Sequence, residues 1–106
     1  MIYDVDKVDI MAKRKDGGLD LFIISSGAID ASQGTQKLLL DKISNYFGYI
    51  LSADFCVDFP DVKKGEVTIV LEFSEPAPKI LLELCERIAI WIEDNGMLFV
   101  VKQKKI

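Results

Sequence analysis

The residues best suited to chemistry in this sequence are aspartates, which fall in two short clusters. The clusters are Asp4, Asp6 and Asp9 near the first residue, and Asp54, Asp58 and Asp61 in the middle of the chain. Carboxylate oxygens gathered in this way are the ligands that hard cations such as Ca²⁺ prefer. Neither cluster carries the glycine and the terminal glutamate that an EF-hand loop requires. We therefore expect two solvated acidic surfaces and assign no metal site.

Groups for nucleophilic or acid–base catalysis are missing or too far apart. The sequence contains no histidine, which excludes Ser-His-Asp and Cys-His systems and the zinc sites that need histidine. Cys56 and Cys85 form no CxxC motif, so we expect Cys85 in the core and Cys56 as a free thiol near a loop. Glu66 and Glu72 lie about 20 Å apart along an extended strand, too far to act on one bond. The sequence therefore predicts a protein that is not an enzyme and needs no cofactor.

Composition and charge limit the class of protein further. Of the 106 residues, 50% are hydrophobic, 28% are charged and 3 are proline. These proportions favour a single globular domain that spans residues 1–106 rather than a disordered chain. The net charge of −4 disfavours non-specific attraction to nucleic acid or to anionic lipid. The apolar stretches are far shorter than the roughly 20 residues that span a bilayer, and the first residues lack the pattern of a secretory signal. We expect a cytoplasmic protein without membrane contact.

The strand that organises these residues is 65–73, with the sequence GEVTIVLEF. Val67 and every second residue up to Phe73 share one apolar face, which we expect the helices to cover. Thr68, Val70 and Glu72 share the opposite face, which is predicted to remain open.

Periodicity and turn residues define the other elements. The predicted strands are 5–15, 19–25, 65–73 and 97–101, the predicted helices are 36–53 and 78–94, and 54–64 is predicted to be a loop. Asp16-Gly17-Gly18 supplies the positive-φ residues of a hairpin turn between the first two strands. A capping box of Asp30 with Gln33, or a cap at Ser32 or Thr35, would begin the first helix.

This order of elements, β-β-α-β-α-β, predicts an α+β fold. A helix joins the third strand to the fourth, as in a βαβ unit, which favours parallel pairing of those two strands. The simplest arrangement is a two-layer sandwich, a mixed four-stranded sheet with two helices on one face. Phe22 and Ile24 would then share the open face with Val70, among Asp20, Thr68 and Glu72.

The chain also resembles a family of small, uncharacterised bacterial domains. The resemblance rests on a hairpin, on a helix that carries Leu-Leu, Lys-Ile and Tyr in that order, on a Phe-Pro loop, on the alternating strand and on Pro-x-Pro. The matching residues are Leu39, Leu40, Lys42, Ile43, Tyr46, Tyr49, Ile50, Phe59, Pro60, Gly65, Val67, Ile69, Leu71, Phe73, Pro76 and Pro78. Members often carry His-Leu and a tryptophan where this chain has residues 27–30, GAID. The resemblance supports the fold and implies no activity, cofactor or catalytic residue.

The sequence reading favours a non-catalytic domain of unknown function that acts by contact with another protein, or with itself as a homodimer. An immunity-like or regulatory partner protein would fit an acidic domain of this size. The candidate partner surface consists of Phe22, Ile24, Thr68, Val70, Glu72 and Ile90. Ile90 joins this set because it falls in the middle of the wet side of the second helix, beside Glu83, Glu86 and Arg87.

Two alternatives belong to other classes. A small-ligand binder or an enzyme would use carboxylates near residues 54–61 and would need a polar pocket there. A weak nucleic-acid binder would use Lys13, Arg14 and Lys15 together with the lysines of the tail, although lysines at strand ends also protect sheets from aggregation. We expect neither a nucleic acid nor a metal as the partner.

Overall fold

The computed structural model describes residues 10–25, 30 and 32–103, and the elements below lie within them. The helices and strands, in chain order, are β1 (Ile10–Lys13), β2 (Leu19–Ser25), α1 (Gln33–Ile50), α2 (Ala53–Asp58), β3 (Val67–Phe73), α3 (Lys79–Asp94) and β4 (Leu98–Gln103). A 3₁₀ turn, Lys64–Glu66, precedes β3. The predicted α+β class is confirmed.

The four strands form one mixed sheet in the order β1-β2-β3-β4. β1 runs antiparallel to β2, whereas β2 is parallel to β3 and β3 is parallel to β4. The mixed four-stranded sheet and the parallel pairing of the last two strands are confirmed. Every strand therefore pairs only with strands that are adjacent to it in the sequence.

The predicted order of elements was wrong between α1 and β3, where a loop was expected. Residues Ala53–Asp58 form the short helix α2, and Lys64–Glu66 form the 3₁₀ turn. The Ser52 hydroxyl accepts a hydrogen bond from the Phe55 backbone N–H and so caps α2. Phe55 is buried, and its ring meets that of Tyr49 edge-on at a centroid distance of 5.5 Å. A cap and one buried aromatic side chain suffice to fold this segment against α1.

Helix α1 begins and ends about three residues earlier than predicted. Its N-cap is Ser32, whose hydroxyl accepts from the Thr35 N–H at 3.1 Å, so this alternative is confirmed over the capping box of Asp30 with Gln33. Asp30 instead accepts from the Thr35 hydroxyl and from the Ser32 N–H. These hydrogen bonds lower the pKa of the Asp30 carboxyl, and the bond from Thr35 has the largest effect.

Several strand boundaries also differ from the prediction. β1 covers Ile10–Lys13, and residues 5–9 of the predicted strand lie outside the described residues. β3 begins at Val67, because Glu66 belongs to the 3₁₀ turn and its carboxylate accepts from the Lys63 N–H at 2.9 Å. In the hairpin turn, Gly17 has a φ of +93°, as expected of a tight turn, whereas Gly18 does not have positive φ.

The hydrophobic core lies on one face of the sheet, here called the inner face. Leu21, Ile69 and Phe99 are aligned across β2, β3 and β4 on this face and are buried. The residues of α1 and α3 in the same core are Leu39, Ile43, Tyr46, Ile50, Leu81, Leu84, Cys85, Ile88 and Ile92, and Phe55 of α2 also belongs to it. Burial raises the pKa of the Cys85 thiol to about 11. Cys85 is therefore the core residue that the sequence predicted, while Cys56 is exposed.

A buried lysine on α1 was not anticipated. Lys42 is completely buried, and its Nζ lies 5.7 Å from the centre of the Tyr46 ring. The face of an aromatic ring attracts a cation most strongly where water is excluded. The Tyr46 hydroxyl donates to the Phe22 carbonyl at 2.7 Å, which ties α1 to β2.

Candidate functional site

The candidate functional site is the face of the sheet opposite the inner face, here called the outer face. One row of four apolar residues crosses it, because Ile10 pairs with Phe22, Phe22 with Val70 and Val70 with Val100. Paired residues of neighbouring strands point to the same side of a sheet. The row therefore extends over all four strands without a polar interruption.

Exposure along this row increases from the centre to the edges. Val70 is only 3% exposed and Phe22 is half-buried, whereas Ile10 is 51% and Val100 41% exposed. Leu98 in the next row is 52% exposed. On the outer face, the most exposed apolar side chains are therefore those of the two edge strands, which were not predicted to belong to the candidate surface.

The six residues of the sequence-derived surface are brought together only in part. Phe22, Ile24, Thr68, Val70 and Glu72 share the outer face as neighbours on β2 and β3. Thr68 is nearly as buried as Val70, and Ile24 is half-buried, so only Glu72 of this group is fully exposed. Ile90 is exposed but lies on helix α3, whereas the other five residues lie on the sheet.

A polar cluster around Arg14 closes one end of the outer face. The guanidinium of Arg14 forms an ion pair with Asp20 and donates to the Thr68 hydroxyl at 3.2 Å and to the Glu66 carbonyl at 2.9 Å. Hydrogen bonding to Asp20 raises the pKa of Arg14. Arg14 also contacts Asp16, whose pKa is lowered chiefly by the hydrogen bond from the Gly18 N–H. Arg14 thus joins the hairpin to β3 and is not a free cation of a basic patch.

A cavity of about 610 Å³ lies at the opposite end of the outer face. It opens where β2, β3 and β4 end, and its lining residues are Ile24, Glu72, Phe73, Ser74, Lys102 and Gln103. Glu72 and Lys102 are paired in the β3–β4 register. The carboxyl ends of parallel strands are a common location for ligand sites. One anion and one cation in register give this end both signs of charge.

A second, more apolar groove of about 540 Å³ runs between α3 and the edge strand β4. It is lined by Leu82, Cys85, Glu86, Ala89, Phe99, Val101 and Gln103. Gln103 is held at one end by its side-chain oxygen, which accepts from the Ala77 N–H at 2.8 Å. The groove therefore adjoins the side of β4 that has no strand partner among the described residues.

Asp54, Asp58 and Asp61 do not assemble into a cation site, since the described residues include no group of three potential metal ligands. In the 54–61 segment, Asp58 accepts a hydrogen bond from the Tyr49 hydroxyl at 2.7 Å. The pKa of Tyr49 is raised to about 12, mainly by burial and also by the hydrogen bond to Asp58. Asp4, Asp6 and Asp9 lie outside the described residues, as do the lysines of the tail.

The fold and the site together define a small α+β domain with an apolar row on its outer sheet face. The chain belongs to a family of unknown function, DUF6572, whose sequence profile matches residues 1–105. No curated protein and no solved structure shows significant similarity to it. Within the described part of the chain, no helix is long and apolar enough to cross a membrane.

Proposed function

We propose that the protein is a non-catalytic binding module that contacts a partner protein through the outer face of its sheet. The observation that carries this proposal is the uninterrupted apolar row Ile10–Phe22–Val70–Val100, with both of its ends exposed. At the β4 end of the row, the exposed side chains of Val100 and Leu98 are neighbours on the same face. Adjoining exposed apolar groups, in contrast to single exposed ones, mark surfaces that another molecule covers.

We also infer that α1 and α3 both cover the inner face and leave the outer face free of helices. Supporting this, the core that the helices share contains the inner-face residues Leu21, Ile69 and Phe99 and excludes the buried outer-face residue Val70. A two-layer arrangement of this kind makes the outer face available to a partner.

Charged groups frame the apolar row in the manner of an interface rim. The pair of Arg14 and Asp20 lies at one end, and Glu72 beside Lys102 lies at the other. Protein interfaces commonly have an apolar centre surrounded by polar residues that remain partly hydrated. Because the rim carries positive and negative groups, it would favour one orientation of a partner. It would not attract ions of one sign in general.

The size of this face fits a regulatory contact better than a permanent one. Strand spacing and residue rise give a four-strand face three rows deep an area of roughly 400 Å². Stable complexes bury about 800 Å² on each partner, whereas transient ones bury less. We therefore expect reversible binding.

Affinity capture from the native cells tests the proposal with variants of exposed residues. The double variant Ile10→Lys/Glu72→Lys places charges on the outer face without changing a core residue, and it should lose proteins that the wild type retains. Val57→Lys is the matched control, because Val57 is an exposed apolar residue on α2, away from the sheet.

Retention of the same proteins by the double variant would contradict the proposal, as would a wild-type protein that retains none. A third variant, Ile90→Asp, tests whether the partner instead binds the surface of α3 around Ile90. Selective loss with Ile90→Asp would move the contact from the sheet to α3.

A further inference from the structure

We propose that the edge of β4 that has no strand partner among the described residues pairs with the same edge of a second copy of this chain, which joins two four-stranded sheets into one. The inference deepens the proposed function, since it names a second copy as one partner and a strand edge as the contact. Alternate backbone N–H and C=O groups of an edge strand point away from its neighbour and are available to another strand.

The two edges of the sheet differ in how they are protected. β1 ends at Lys13, which is followed by Arg14 and Lys15. β4 has six residues, LFVVKQ, of which Lys102 alone is charged. Charged residues, lysine above all, are a usual means by which proteins block pairing at an edge. β4 lacks this protection over Leu98–Val101, so it is the edge that can accept a strand.

The sequence of β4 is complementary to itself in one antiparallel register. A two-fold axis at Phe99 places Leu98 opposite Val100 of the second copy, and Val100 opposite the second copy's Leu98. All four side chains are then on the outer face, where they continue the apolar row into the second sheet. An axis at Val100 would instead set Lys102 opposite Leu98. The register centred on Phe99 is therefore preferred.

The groove beside β4 provides room for this pairing. Phe99 and Val101 line it from the strand, and Leu82 and Ala89 line it from α3. Inner-face side chains of the incoming strand would project toward this groove, which is predominantly apolar. A single strand pair with one groove buries less than the area of a standard stable interface, so we expect a weak, concentration-dependent dimer.

Sedimentation velocity of the full chain between about 1 µM and about 1 mM, the range of such weak contacts, measures the dimer directly. Leu98→Lys should raise the dimer dissociation constant at least about tenfold, because the two-fold axis repeats the unfavourable pair. Met11→Lys is the matched control: Met11 is 47% exposed, close to the 52% of Leu98, but lies on the opposite edge strand. It should leave the constant unchanged.

Cross-linking tests the register. In a Cys56→Ser background, Leu98→Cys and Val100→Cys proteins should form a disulfide dimer when mixed, and neither should do so alone. Efficient cross-linking by Val100→Cys alone would overturn the register centred on Phe99.

These outcomes separate the two proposals. A chain that remains monomeric at the highest concentration overturns β4 pairing and leaves partner capture by the outer face untouched. A dimer that Ile10→Lys dissociates and Leu98→Lys does not would assign self-association to the face and would also overturn β4 pairing.

Discussion

Gly18, in the hairpin turn, packs closely against the 3₁₀ turn that precedes β3. A Cβ atom at this position would lie 2.7 Å from the Glu66 carbonyl oxygen and would overlap the guanidinium of Arg14. That guanidinium is fixed by Asp20, Thr68 and the same carbonyl. The absence of a side chain at residue 18 therefore allows Arg14 to reach across the hairpin.

Gly18→Ala should lower the free energy of unfolding by about 1–3 kcal/mol, the usual cost of forcing a methyl group into a packed site. Gly48→Ala is the control within the same chain. No atom lies within 4 Å of a Cβ at Gly48, so this change in an exposed part of α1 should stabilise the protein by up to about 1 kcal/mol. Urea denaturation measures both values. Equal effects of the two substitutions would rule out the crowding at Gly18.

Part of the candidate site could be predicted at the level of single residues. The period of two along each strand correctly placed Phe22, Ile24 and Val70 on one face. It gave no indication that Ile10 and Val100 extend the row, because strand register depends on pairings between distant parts of the chain. β4 is apolar on both faces, so its alternation provided no signal for Leu98 and Val100.

Among the elements, α1 is attached to the sheet through a hydrogen bond from the Tyr46 hydroxyl to the Phe22 carbonyl. Tyr46→Phe should lower the free energy of unfolding by about 1 kcal/mol, the net value of a typical hydrogen bond, while the ring remains packed. Tyr49→Phe is the matched control on the same helix, because its hydroxyl binds Asp58 at an exposed position. We expect a smaller loss there in thermal or urea denaturation. A larger loss for Tyr49→Phe would contradict this account of how α1 is anchored.

The long elements could be predicted from the sequence, and the short ones could not. α3 and the core faces of both long helices follow from apolar residues repeated over several turns. α2 has six residues, too few for such a repeat to be visible, and its stability depends on the Ser52 cap and on burial of Phe55. The 3₁₀ turn before β3 likewise depends on Glu66 binding the Lys63 N–H, which no periodicity reports.

For the whole molecule, two acids with raised pKa values predict how stability changes at high pH. The pKa of the Cys85 thiol is raised to about 11 and that of Tyr49 to about 12, in both cases mainly by burial. In the unfolded chain each group releases its proton at a lower pH, so the unfolded state gains relative to the folded one as pH rises. The stability contributed by Cys85 should be complete below about pH 9 and lost as pH rises through about 11, a change of about 2–3 kcal/mol.

Unfolding free energies from urea titrations between about pH 8 and about pH 10.5 test this dependence. Cys85→Ala should show a shallower decline over that interval, although its stability at pH 8 is lower because of the cavity. Cys56→Ser is the control and should retain the wild-type slope, since Cys56 is exposed. Identical slopes for Cys85→Ala and the wild type would contradict the assignment.

The match between sheet order and chain order has a consequence for synthesis on the ribosome. Each strand emerges after the neighbour on which it pairs, so no late strand has to insert between two earlier ones. The unpaired edge instead advances with translation, and it is the apolar strand β3 until β4 has been made. At the usual 5–20 residues per second, the segment from Ser74 to Met97 takes about 1–5 s to synthesise. During those seconds β3 lacks the strand that later covers this edge, and unpaired strand edges favour aggregation.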